Sequence, residues 1–91
     1  NVDTIKGFSS IDLVSLSASI FTKAGPVGNL AASAFVANAS GKATTAAHRI
    51  VYETDTGILR YDPDGTGAAA AVKFAIMHGT PTMNAGDFVI A

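Results

Sequence analysis

His48-Arg49-Ile50-Val51-Tyr52-Glu53-Thr54, then Asp55-Thr56-Gly57, then Ile58-Leu59-Arg60-Tyr61, is the stretch that decides the fold. Its first part is rich in β-branched and aromatic residues and ends at a turn signal. A three-residue connection closing on a glycine in the left-handed conformation joins two antiparallel strands without splaying them, so the stretch predicts a β-hairpin. Working outward, Asp62-Pro63-Asp64-Gly65-Thr66-Gly67 reverses the chain a second time. A third strand is expected over 69–77, where Val72, Phe74 and Ile76 alternate with Ala71, Lys73 and Ala75 to give one apolar face. Gly79-Thr80-Pro81 ends it, and Asp87-Phe88-Val89-Ile90 supplies a last strand expected at a sheet edge.

The first half reads less sharply. Ile5, Phe8, Ile11, Leu13 and Leu16 sit among serines and threonines and predict two short strands between Asp3 and Leu16. Gly25-Pro26 and Gly28 then break the chain. Asn29 is placed to cap a helical turn over 30–35, with Leu30 and Ala34 facing inward. Residues 37–47, mostly alanine, serine, threonine and glycine, are read as loop. The expected fold class is mainly β: an antiparallel meander, β-sandwich-like, with one or two short helical turns.

Composition limits what such a chain can do. With 91 residues there is room for one domain, spanning 1–91, and no multi-domain enzyme. The sequence is 48% hydrophobic and 14% charged, enough apolar material to fold, although the many alanines and glycines build the core from small pieces. Six basic residues against seven acidic ones, with no Lys/Arg cluster, argue against nucleic acid as a partner. Cysteine is absent, so no disulfide or thiolate metal site is available. No apolar run reaches the roughly 18 residues of a membrane span, and Asn1-Val2-Asp3 does not read as a secretory leader. The Asn start suggests a piece of a longer protein.

Chemistry-bearing patterns are few. In the 62–67 loop, Asp62, Asp64 and Thr66 occupy alternate positions ahead of Gly67, as in the first half of an EF-hand loop, and oxygen donors at that spacing suit calcium. The twelfth position is Lys73 where a bidentate Glu would stand, and a hairpin turn whose carboxylates cap backbone N–H groups accounts for the same residues. Glu53, Asp55, Asp62 and Asp64 fall close enough in sequence to form a carboxylate patch, or a solvated edge. His48 and His78 have no partners at metal-ligand spacing, and Ser40-Gly41-Lys42-Ala43 lacks the upstream glycine and the Ser/Thr of a phosphate loop. No nucleophile, base and orienting group stand at a diagnostic spacing, so an enzyme is not expected.

Three stretches together resemble the C-terminal region of repeats-in-toxin (RTX) calcium-binding proteins, which leave the cell by type I secretion. They are Val2-Asp3-Thr4-Ile5-Lys6-Gly7-Phe8 with Ile11-Asp12-Leu13; the run from Arg49 through Tyr61 to Gly67; and Val72-Lys73-Phe74-Ala75 ending in Asp87-Phe88-Val89-Ile90. The resemblance implies a cap on an upstream parallel β-roll of the same chain, with calcium as cofactor and Asp3 closing the last calcium-binding repeat. It also implies an uncleaved export signal at Asp87, Phe88, Val89 and Ile90, read by the type I secretion apparatus, and an extracellular destination. A carbohydrate- or protein-binding β-domain of a secreted adhesin is the competing expectation.

Overall fold

A computed structural model describes residues 3–5, 13–21, 23–25, 27–66 and 71–91. The decisive hairpin is present: β5 (Ile50–Glu53) pairs antiparallel with β6 (Ile58–Tyr61), in the register Ile50 to Tyr61 and Tyr52 to Leu59. Gly57 turns the corner at φ +80°, and a Cβ there would collide with the Met77 carbonyl on the neighbouring strand, so the position excludes side chains. β6 in turn pairs antiparallel with β7 (Val72–Met77), with a register shift at Leu59/Arg60. These three strands are the expected meander.

Parallel strands flank it. β1 (Asp3–Ile5) lies parallel on β7, and β4 (Phe35–Asn38) parallel on β5, which makes a five-stranded sheet in the order β1-β7-β6-β5-β4 among the described residues. A second sheet has the order β2-β8-β3, with β2 (Val14–Leu16) parallel and β3 (Gly28–Asn29) antiparallel to β8 (Phe88–Ile90). The chain is mainly β, as its composition and alternation imply. Both sheets contribute to one core: Leu16, Phe88 and Ile90 from the smaller, and Ile50, Tyr52, Leu59, Ala75 and Met77 from the larger. Phe35 and Phe88 meet across the gap at 5.3 Å between ring centroids. Phe21 packs on both Tyr61 and Phe74, at 5.2 and 4.9 Å.

Several local expectations need correction. The helical turn is a single 3-10 turn at Ala32–Ala34, capped by Ala31 without any side-chain bond; Asn29 lies in β3 instead. Leu30 and Ala34 do face the core. β4 extends into the stretch read as loop, because pairing with β5 supplies what the weak strand propensity of Ala37 and Asn38 does not. On β7 the expected apolar face is only partly buried: Val72 is 60% exposed and Phe74 half-buried against the core, whereas Ala75 and Met77 on the other face are buried. The core between the sheets accepts the small Ala75 and reserves its volume for Met77, which the count of large residues at even positions overlooks. Finally, β8 is the central strand of its sheet, not an edge. The expected apolar positions Phe8 and Ile11, and the start of the third strand at 69 and 70, lie outside the described residues.

Candidate functional site

The turn after β6 is seated rather than projecting. Asp62 donates its backbone N–H to the Arg49 carbonyl at 2.7 Å, which continues the β5–β6 ladder by one more bond. Its side chain turns into its own loop, where Oδ1 accepts from the Asp64 N–H at 3.3 Å. That is the Asx-type bond expected of Asp at a turn. Gly65 then adopts φ +65°, and a Cβ there would stand 2.5 Å from the Thr45 carbonyl oxygen and 2.6 Å from that of Ala46. Only glycine lets the two loops approach so closely. The facing loop is held by its own side chains. Arg49 donates to the carbonyls of Ala46 (2.6 Å) and His48 (2.9 Å), while His48 Nδ1 accepts from the N–H groups of Thr44 (3.1 Å) and Thr45 (3.3 Å).

Asp62 is only 6% exposed. Burial pushes its carboxyl above the ordinary aspartate value, and the adjacent Asp64 carboxylate pushes it further, against the pull of the Asp64 and Gly65 N–H groups. Two carboxylates in one tight turn are the electrostatic situation a cation relieves. The donor set nevertheless falls short of a calcium cage. Asp62 and Asp64 are adjacent, Thr66 is exposed on the same turn, and the Asp3 side chain lies outside the described residues, its backbone belonging to β1, two strands from β6. Among the described residues no three His, Asp or Glu side chains gather at one point. Calcium takes about six to eight oxygens, more than this turn provides from its side chains.

The carboxylate patch does not form, because the hairpin separates its members. Glu53 and Asp55 lie at the turn end, and Asp62 and Asp64 at the open end, a four-residue strand or about 13 Å away. Glu53 is instead committed to Arg60 at 2.6 Å and to the Thr56 hydroxyl at 2.8 Å. The Arg60 guanidinium and the Thr56 hydroxyl hold its carboxyl below the usual glutamate value.

The four terminal residues singled out by sequence are also structural in the folded chain. Asp87 closes a 3-10 turn at Ala85–Asp87 through a capping box: its Oδ2 accepts from the Asn84 N–H at 2.8 Å, and Asn84 Oδ1 accepts from the Gly86 N–H at 2.9 Å. Phe88 and Ile90 are fully buried, with Val89 half-buried between them. Ala91 is tied on both sides, donating to the Leu16 carbonyl and accepting from the Ala18 N–H, each at 2.9 Å. No described helix is long and apolar enough to cross a membrane.

Sequence reasoning missed a groove beside the end of β5. The segment after β7 folds back over β5, where Tyr52 donates its hydroxyl to the Pro81 carbonyl at 2.6 Å, and a groove of about 250 Å³ opens between this segment and the end of β5. Its one sequence signal is Thr80-Pro81, a β-branched residue directly before proline. Comparison of the chain with protein-family models, with curated proteins and with solved structures finds no match.

Proposed function

We propose that the chain is a non-enzymatic C-terminal capping and secretion module of an extracellular, RTX-type calcium-binding protein. Its partners on this reading are the type I secretion apparatus and an upstream β-roll of the same polypeptide. The observation that carries the capping half is the orientation of β1. It stands at the edge of the five-stranded sheet and runs parallel to its neighbour β7, the direction in which a preceding parallel coil can be continued. Beside it β7, β6 and β5 run antiparallel, which interrupts the parallel stacking of a roll before β4 returns parallel at the opposite edge. Calcium belongs mainly to the upstream roll, and the Asp62–Thr66 turn adds at most a weak site.

The secretion half rests on the acidic-then-apolar ending Asp87-Phe88-Val89-Ile90 and on the resemblance. Because Asp87, Phe88 and Ile90 are buried once folded, the transporter reads them before the sheet closes. The test separates signal from stability. The chain is fused behind a passenger in cells carrying a type I transporter, and Phe88→Ser with Val89→Ser is compared with Leu59→Ala, which opens the same core far from the terminus. Loss of export in the first and retention in the second is expected. Equal export of both would refute the signal.

A further inference from the structure

We propose that the groove between the end of β5 and the segment after β7 is a binding site for one neutral sugar ring. Its walls come from three parts of the chain, Ala37 of β4, Thr54 after β5, and Thr80 and Thr82, and Met83 and Tyr52 are buried beneath. No lining residue carries a charge, which disfavours an anion or a metal ion. Hydroxyls both donate and accept, and so match the vicinal hydroxyls of a sugar. Pro81 and the exposed Ala37 offer apolar surface to the C–H face of its ring. At about 250 Å³ the groove lies just below the roughly 300 to 1,000 Å³ of ordinary ligand pockets, which restricts the occupant to a single ring.

Two features set this groove apart from a chance depression. The segment forming it is pinned in advance at three points. Thr80 N–H bonds the Met77 carbonyl (3.3 Å), Tyr52 holds Pro81 (2.6 Å), and Asn84 is locked to Asp87 (2.8 Å), so little ordering remains for a ligand to impose. Thr80 also sits at φ +46°, the one described residue other than glycine with positive φ. A β-branched side chain is strained there, and its place before proline adds to the constraint. Nothing in the fold requires threonine at this bend, where glycine would relieve the strain. Strain retained beside a preformed groove is the pattern of a binding position.

The inference stands apart from the capping and secretion reading. It is tested on the 91-residue chain by amide NMR, titrating D-glucose, D-galactose and N-acetylglucosamine separately to tens of millimolar. At least one sugar is expected to shift the amides of Thr54, Thr80 and Thr82 and leave those of Asp62 and Asp64 in place, with a dissociation constant in the millimolar range. Thr82→Val keeps the shape and removes a hydroxyl, and should weaken binding about fivefold. Thr80→Gly should raise the melting temperature and weaken binding together, a combination that a purely structural threonine does not produce. Absence of saturable shifts with all three sugars, or binding unchanged in both variants, would overturn the proposal.

Discussion

Replacing Phe88 with alanine tests the architecture most directly. Phe88 is 0% exposed, sits in the central strand of the smaller sheet, and packs on Phe35 at 5.3 Å from the larger one. Burial of a phenylalanine in such a position is worth about 3 to 5 kcal/mol against alanine, part transfer free energy and part cavity. At roughly 0.05 to 0.15 kcal/mol per residue, a chain of this length has about 5 to 14 kcal/mol in total, so one ring carries a large share. Each kcal/mol moves the melting temperature of a domain this size by roughly 4 to 8 °C, so a drop of at least about 12 °C is expected. Urea unfolding followed by far-UV circular dichroism gives the same quantity as a shift in midpoint at constant slope. Phe21→Ala, at a half-buried ring outside both sheets, is the internal control and should cost clearly less. A Phe88→Ala loss below about 1 kcal/mol would mean that β8 is not a central strand, and the two-sheet core would have to be abandoned.

Burial raises the Asp62 pKa, so the fold favours its neutral form. That contribution is complete below the ordinary aspartate value of 3.8 and is lost as pH rises through the folded value. Asp62→Asn should therefore raise the urea midpoint at pH 7 and leave it unchanged near about pH 3; a lower midpoint at pH 7 would contradict the burial argument. Glu53 works in the opposite direction, since its lowered pKa stabilises the fold above 4.5 and that contribution disappears as pH falls through the folded value. Glu53→Gln is expected to lower stability at neutral pH and to flatten the acid limb of the stability profile, and an unchanged acid limb would exclude the Arg60 pairing as its cause. Calcium titrated into the chain should bind no tighter than about 10⁻⁴ M, by calorimetry. Submicromolar binding that survives Asp62→Ala with Asp64→Ala would show that the ion sits elsewhere.

The hairpin was legible because its signals are local: β-branched alternation on both sides and a glycine at the one position that demands it. The mainly β class and the inward Leu30 and Ala34 were legible for similar reasons. The parallel partners of the meander were not, because β1 and β4 are chosen by pairing with β7 and β5 and not by their own residues. On β7 the eye follows bulky Val72, Phe74 and Ile76, while packing between two sheets selects Ala75 and Met77. Of the site, Asp62 and Asp64 do share a turn, as their spacing implies. Burial of the first depends on Gly65 docking against Thr45 and Ala46, which no local pattern announces. The groove beside Thr80 escaped because hydroxyls contributed from separate segments leave no spacing to read.

The parallel strands have a consequence for the order of events as the chain is made. β1 pairs Asp3 with Ala75 and β2 pairs Val14 with Phe88, so both of these N-terminal strands find partners more than seventy residues later. The smaller sheet cannot assemble around β8 until Phe88, Val89 and Ile90 have left the ribosome. The hairpin and its neighbours β4 and β7 can form early. Contacts this distant place the chain among slow folders, on the scale of milliseconds to seconds. For that interval Phe88, Val89 and Ile90 are still uncovered, and β1 and β2 are still waiting for their partners.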